Sequence, residues 1–93
     1  MHEGTLDLPE GSEKAPSLRE LLSFLARSLV ENPDKVEITE IEETDALVFE
    51  LRVDESDLGR VIGRQGRTAK ALRTVLSAAS AKMKRRVILD IIE

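Results

Sequence analysis

The spacing of apolar residues changes several times along the chain, and each change predicts a different element. From residue 18 onward the leucines recur at three- and four-residue intervals, which places them on one face of a helix. Ser17 and Glu20 have the spacing of a capping box at its start, and Asn32-Pro33 is expected to end it near Val30. The apolar face of this helix comprises Leu18, Leu21, Leu22, Leu25 and Leu29, with Phe24 beside it.

Three stretches further along the chain predict strands. Val36 and Ile38 alternate with polar residues until the pattern is lost near Ile41, and the polar run 42–45 predicts a turn. Residues 87–92 are β-branched and almost continuously apolar, which favours a strand in the middle of a sheet or another well-covered position. Between these two stretches, alternation indicates a strand with one buried face, made of Leu47, Phe49, Leu51 and Val53.

A four-residue loop, Gly63-Arg64-Gln65-Gly66, separates two predicted helices that lie between the second and third strands. The first helix covers 54–62, with Asp54 as its N-cap. Its inward-facing residues are expected to be Leu58, Val61 and Ile62. The second helix starts at Arg67, and its apolar face comprises Leu72, Val75, Leu76, Ala79 and Met83.

The predicted order is therefore α-β-β-α-α-β in one domain, residues 17–93. A short hairpin makes the first two strands antiparallel, and a two-helix crossover returns the third strand parallel to the second. We expect an α+β fold in which three helices cover one face of a three-stranded mixed sheet. Residues 1–16 contain few large apolar residues and predict a disordered acidic tail, on which the only histidine, His2, has no expected catalytic role.

The loop between the two helices has a pattern that suits a phosphate backbone. Glycine at each end permits tight turns and close approach, and the start of the second helix directs N–H groups outward. Arg64 and Arg67 add positive charge there. The net charge of the chain is −4, but residues 57–86 hold nine basic residues and one acid, against five basic residues and seventeen acids elsewhere. Because local charge decides where a polyanion binds, this segment is the candidate nucleic-acid site.

Composition narrows the classes of function. The chain has no cysteine, which excludes disulfides and thiolate metal sites, and no run of membrane-spanning length. Neither an enzyme active site nor a metal or cofactor site is expected, since Asp54, Glu55 and Asp57 are interpreted as acids at a helix start. These features favour a cytoplasmic binding protein.

Several alternatives remain open at this level. The glycine pair also suits a plain helix–helix turn, and a DNA-binding helix-turn-helix shares the same outline. The loop lacks the length and the lysine of a P-loop, and its glycines do not have dinucleotide-binding spacing. The basic cluster 82–86 could bind RNA or be a solvated surface. A protein-interaction module that dimerises through an apolar surface near the loop is a further alternative.

The run LGRVIGRQGR at residues 58–67 resembles the signature of a KH domain, and the element order resembles the type II arrangement. Over residues 17–93 the chain resembles the KhpA family of small bacterial single-KH RNA-binding proteins. The resemblance implies single-stranded RNA binding in the cytoplasm and a homodimer. It also implies association with a larger KH-containing partner, KhpB (Jag or EloR), and roles as an RNA chaperone or post-transcriptional regulator that affect cell elongation and division.

Transferred by position, the resemblance assigns RNA-binding residues around the loop. The loop residues are Gly63, Arg64, Gln65 and Gly66, with Arg67, Lys70 and Arg60 beside them and Leu58, Gly59 and Ile62 at or under the groove floor. The chain has no Tyr or Trp, so base stacking on those side chains is absent.

Overall fold

Residues 17–93 are described by a computed structural model, in which helix α1 spans Leu18–Leu29. The predicted capping box is confirmed, because Ser17 Oγ accepts from the Glu20 N–H at 3.1 Å and Glu20 Oε1 accepts from the Ser17 N–H at 2.9 Å. The fully buried residues of α1 are Leu22 and Ala26, whereas Phe24 is 69% exposed. The predicted tail, with His2, lies outside the described residues.

Three strands form one mixed sheet. They are β1 (Glu37–Glu42), β2 (Ala46–Arg52) and β3 (Arg86–Ile91). The strand order is β1-β2-β3, with β1 antiparallel and β3 parallel to β2. The α+β arrangement expected from the sequence is therefore confirmed.

The prediction that the third strand lies in the middle of the sheet or in another well-covered position is wrong. β2 is the middle strand and β3 lies at the edge, since the crossover returns to the side of β2 that the hairpin leaves unpaired. Only Leu89 of β3 is buried. The apolar run arises because β3 uses both faces: Leu89 is paired with Phe49 of the core, and the 36%-exposed Ile88 is paired with Val48.

The two helices of the crossover are α2 (Leu58–Ile62) and α3 (Arg67–Ala79). The first is shorter than expected, because Asp54 caps a single 3-10 turn, Glu55–Asp57, by accepting from the Ser56 N–H at 3.0 Å. Two further 3-10 turns are Pro33–Lys35, after α1, and Arg64–Gly66, within the loop.

The apolar face predicted for the last helix is only partly correct. Leu72 and Leu76 are buried, but Val75 is 40% exposed. The helix ends at Ala79, so Met83 lies beyond it and is also exposed. The buried residues of α3 are instead Ala69, Leu72 and Leu76, and the small Ala69 side chain allows the helix to pack closely.

The core fills the space between the three helices and one face of the sheet. Its largest fully buried apolar side chains come from every layer: Phe49, Leu51, Leu22, Leu76 and Val61. The predicted buried face of β2 is thereby confirmed, with Val53 partly buried beyond the strand end. No helix in this part of the chain is long and apolar enough to cross a membrane.

Candidate nucleic-acid interface

Gly63 ends α2 in a conformation that only glycine adopts readily. Its φ is 78° and its ψ is 168°, and its N–H donates to Gly59 O at 2.8 Å. A Cβ at this position would overlap Thr68, with the Thr68 Cβ and backbone N both at 2.8 Å. The backbone of the loop therefore packs directly against the first turn of α3.

The rest of the loop is a tight left-handed turn. Gln65 has a φ of 58° and Gly66 a φ of 74°, and the Gly66 N–H donates to Gly63 O at 3.0 Å. Gly66 is also the N-cap of α3, and no side chain in the described part of the chain caps the helix there. The first N–H groups of a thirteen-residue helix thus begin at the loop without a side-chain cap. The positive φ of Gln65 was not anticipated from the sequence, because nothing in the residue type signals it.

Exposed cations surround this turn. Arg64, Arg67 and Lys70 are all exposed, and Arg67 Nη2 donates to Gln65 Oε1 at 3.3 Å. None of the three takes part in an ion pair with another residue of 17–93. The structure therefore brings together the predicted loop and two of its three flanking basic residues as an anion-attracting surface.

Arg60, the third flanking basic residue, has a different environment. Its Nη2 lies 3.0 Å from Glu31 Oε2, and its Nε lies 3.3 Å from Asp57 Oδ1. Its side chain is about half exposed, so its charge reaches solvent but is already partly compensated. A phosphate at this position would compete with two carboxylates.

The residues predicted for the groove floor lie along α2. Leu58 and Ile62 are half-buried, and Gly59 between them is exposed. A Cβ added at Gly59 would meet nothing within 4 Å, so the helix surface there is open. Val61 is fully buried and anchors α2 to the core. The three predicted residues thus offer a shallow aliphatic surface beside the loop.

Asp57 immediately precedes α2 and is fully buried. Its Oδ1 accepts from the Glu31 N–H at 3.1 Å, and its Oδ2 accepts from the Asn32 N–H at 3.0 Å and from Asn32 Nδ2 at 2.9 Å. Burial alone raises the pKa of this carboxyl, but the hydrogen bonds from Asn32 and Glu31 and the charge of Arg60 outweigh it, so the pKa lies below its usual value. In the sequence Asp57 is indistinguishable from an ordinary helix-start acid, so this role was not predicted.

An apolar cleft of about 240 Å³ lies between α1 and α3, next to the loop. Its lining includes Leu25 and Leu29 of α1 and Thr68, Ala71 and Val75 of α3. The cleft explains why Leu29 and Val75 are partly exposed, although both belong to predicted apolar faces. Sequence periodicity cannot reveal the cleft, because it identifies apolar faces and does not show where two packed helices leave a gap between them.

The basic cluster 82–86 divides into two kinds of residue. Arg85 is held by Glu42 Oε2 at 3.2 Å and by the backbone oxygens of Glu43 and Ala46 at 3.0 and 3.2 Å, so it fastens the β1–β2 turn. Lys82, Lys84 and Arg86 are exposed. Arg85 therefore has a structural role, whereas the other three basic residues of the cluster are solvated.

Comparison with known proteins points to one family. A family model described as KhpA/KhpB, KH domain, matches residues 19–91. The chain is 51% identical over 77 residues to the RNA-binding protein KhpA of Aquifex aeolicus, covering 83% of this chain and 98% of that protein. It is 50% identical over 76 residues to the RNA-binding protein KhpA of Halalkalibacterium halodurans, covering 82% and 100%.

Two crystal structures of Era share the fold. One is an Aquifex aeolicus Era variant bound to GDP and AlF4−, with a TM-score of 0.58 and 23% identity. The other is Era in complex with MgGDPNP and nucleotides 1506-1542 of 16S ribosomal RNA, with a TM-score of 0.56 and 24% identity. Each match covers 96% of this chain and 35% of the Era chain, so this chain spans about a third of their length. At this identity the likeness concerns the fold alone.

Proposed function

This chain belongs to the KhpA/KhpB KH-domain family, and from that premise we propose that it binds single-stranded RNA by the RNA backbone at the loop 63–66. The family consists of RNA-binding proteins and not of enzymes. The proposed task of the site is therefore recognition, without a chemical step.

The observation that carries this proposal is the coincidence, within residues 17–93, of a helix start that lacks a side-chain cap with cations that form no ion pair. Among residues 17–93 α3 has no side-chain cap at Gly66, so the positive end of its dipole faces a phosphate at the loop, although the Gly66 and Arg67 N–H groups already donate to Gly63 O and Arg64 O. Arg64, Arg67 and Lys70 surround the same point. A loop of this kind holds about four backbone nucleotides in KH domains. Arg60 contributes less, because Glu31 and Asp57 already hold its guanidinium.

The bases would rest on aliphatic surface. Of the two phenylalanines, Phe49 is buried in the core and Phe24 lies on α1, so neither belongs to α2, the loop or α3. Leu58 and Ile62 are half-buried and present their outer parts, with the Cβ-free Gly59 between them. Because aliphatic contact does not distinguish bases as hydrogen bonds do, we expect backbone contacts to dominate affinity and sequence selectivity to be modest.

The direct test is a titration of a fluorescent single-stranded RNA with wild type and with the Arg64→Asp/Gln65→Asp variant. The variant places two carboxylates where phosphate is proposed to lie, and Asp tolerates the left-handed backbone of position 65. Three phosphate contacts predict that log K falls with log[salt] with a slope of about −2 for wild type. We expect the variant to lose binding and to keep its circular dichroism spectrum.

A matched control is the Lys82→Asp/Lys84→Gln variant. It changes the net charge by the same amount at two exposed residues remote from the loop. We expect it to bind RNA within about threefold of wild type. Equal weakening of both variants would show that binding follows overall charge, and loss in the control alone would move the site to the cluster 82–86. Absence of binding by wild type at low salt would refute the proposed function.

The apolar cleft supports a second candidate function, self-association. Leu29 and Val75 leave apolar surface exposed beside a cleft of about 240 Å³, and a second copy of this chain is the proposed occupant. The cleft includes Thr68, which follows the loop, so a dimer formed there and RNA would be close neighbours. If the two surfaces do not overlap, the dimer can bind RNA. If they overlap, dimerisation and RNA binding compete.

Sedimentation of wild type, Val75→Asp and Ser77→Asp tests this second candidate. Val75 lines the cleft, whereas Ser77 is exposed on the same helix and does not line it. We expect wild type and the Ser77 variant to dimerise and the Val75 variant to be monomeric. A monomeric wild type, or a dimer that survives in the Val75 variant, would exclude the cleft as the interface.

Family membership supports the remaining, broader proposals. These are a cytoplasmic location, a role as an RNA chaperone or post-transcriptional regulator linked to cell elongation and division, and association with the larger KH-containing partner KhpB. Co-purification of KhpB with wild type but not with Val75→Asp would indicate that the partner uses the same cleft. Failure to recover KhpB with either wild type or the Val75→Asp variant would contradict the association.

A further inference from the structure

Asp57 is the only charged side chain among residues 17–93 that is fully buried, and it lies one residue before the helix that leads to the loop. Burying a carboxylate is unfavourable unless hydrogen bonds satisfy it. Here both oxygens are engaged, by the Glu31 and Asn32 N–H groups, by Asn32 Nδ2 and by Arg60 Nε. The carboxylate therefore joins the connector after α1 to the start of α2.

Besides this tether, α2 is held mainly by apolar packing of Val61 and of the partly buried Ile62. The helix is only five residues long, too short to be stable without tertiary contacts, and Val61 is its one buried side chain. Arg60 reinforces the tether, since the same guanidinium contacts Asp57 and Glu31. Val61 supplies an apolar contact that tolerates rotation, whereas the hydrogen bonds of Asp57 are directional.

The position of the loop depends on the orientation of α2. Gly63 is the residue that follows α2, and its N–H is bonded to Gly59 within the helix. Five residues of helix span about 7.5 Å, so a tilt of about 10° at Asp57 moves Gly63 by roughly 1 Å. A displacement of this size is comparable to the tolerance of a hydrogen bond to phosphate.

We propose that Asp57 is a positioning residue for the phosphate-binding loop: by fixing the start of α2 against Glu31 and Asn32, it sets where the loop 63–66 meets RNA. The proposal rests on the proposed RNA-binding function. It assigns no contact between Asp57 and RNA, because the side chain is fully buried.

The principal variant is Asp57→Asn, which keeps the shape of the side chain but turns one acceptor oxygen into an NH2 group facing N–H donors. We expect RNA affinity to fall about tenfold at a temperature where the variant is fully folded by circular dichroism. The control is Leu47→Ala, a buried β2 residue next to the hairpin turn, which lowers stability without touching the tether. At a temperature where it is folded, its RNA affinity should match wild type.

Asn32→Ala provides a milder variant if Asp57→Asn does not fold. It deletes only the bond from Nδ2 to Asp57 Oδ2 and leaves both backbone donors in place. We expect a two- to threefold loss of affinity. Wild-type affinity in folded Asp57→Asn, or equal losses in the Asp57 and Leu47 variants, would overturn the proposal.

A measurement on the RNA-free protein separates this inference from the proposed function. In Asp57→Asn, we expect the amide resonances of residues 63–67 to shift, and hydrogen exchange at the Gly63 N–H to accelerate at least tenfold relative to the Ser80 N–H at the far end of α3. Changes confined to residues 31, 32 and 57–60 would refute positioning. If wild type bound no RNA, the proposed function would fail, while this comparison would still decide whether Asp57 sets the position of the loop.

Discussion

Alanine substitution at the two loop glycines should have unequal effects on stability. At Gly66 the φ of 74° and ψ of 14° lie in the left-handed region, and a Cβ would meet nothing within 4 Å. The cost of the conformation is about 1–2 kcal/mol, reduced by about 0.4–1 kcal/mol because alanine makes the unfolded chain less flexible. We expect a net loss of about 0.5–1 kcal/mol for Gly66→Ala.

At Gly63 two costs add. The φ of 78° with ψ of 168° lies in a region used essentially by glycine alone, with a strain of about 1–3 kcal/mol. The new Cβ would also overlap Thr68, whose Oγ1, Cβ and backbone N are its nearest atoms. Relieving such an overlap costs about 1–3 kcal/mol, so the net loss for Gly63→Ala is about 2–4 kcal/mol.

Thermal unfolding followed by circular dichroism measures both effects. For a domain of this size 1 kcal/mol corresponds to about 4–8 °C, so Gly66→Ala should lower Tm by about 2–8 °C and Gly63→Ala by at least twice as much. In a Thr68→Ala background the Gly63→Ala loss should shrink by about 1 kcal/mol, because part of the overlapping side chain is gone. Equal Tm losses for the two glycine variants would refute the reasoning, since they would show that the contact with Thr68 contributes nothing.

Two further predictions concern hydrogen bonds outside the loop. Ser17→Ala removes the side-chain acceptor of the capping box, so α1 and the domain should lose about 1 kcal/mol in chemical denaturation, whereas Ser77→Ala on the exposed side of α3 should change little. The pKa of Asp57 is lower in the folded state than in the unfolded state. The Asp57 carboxylate therefore stabilises the fold fully at pH values above the unfolded-state pKa, and this stabilisation is lost as pH falls through the folded-state pKa. The free energy of unfolding should therefore decrease below about pH 4, and Asp57→Asn should flatten that dependence; an unchanged pH profile in the variant would contradict the assignment.

Local patterns accounted for most of the fold because they reflect local physical rules. The capping box at Ser17 and Glu20 depends on two side chains and the backbone of one helical turn, so it is visible in four residues. The buried face of β2 follows from strict alternation at Leu47, Phe49 and Leu51. The parallel pairing of β3 with β2 follows from the two-helix crossover.

Other features depend on which surfaces meet in space. Apolar composition predicted a covered position for β3, but strand order is a global choice, and Leu89 alone is buried there. Helical spacing placed Val75 in the core with Leu72 and Leu76, but a narrow packing stripe through Ala69 leaves Val75 at the rim of the cleft. Periodicity indicates that a face is apolar and does not indicate how much of it a neighbour covers.

The candidate site divides in the same way. The glycine spacing and the adjacent basic residues marked the loop 63–66, because backbone freedom and charge are properties of residue types. The left-handed Gln65, the commitment of Arg60 to two carboxylates and the burial of Asp57 required the assembled structure. Glu31 and Asp57 are twenty-six residues apart in the chain, and only the packing of α1 against α2 brings the N–H of one to the carboxylate of the other.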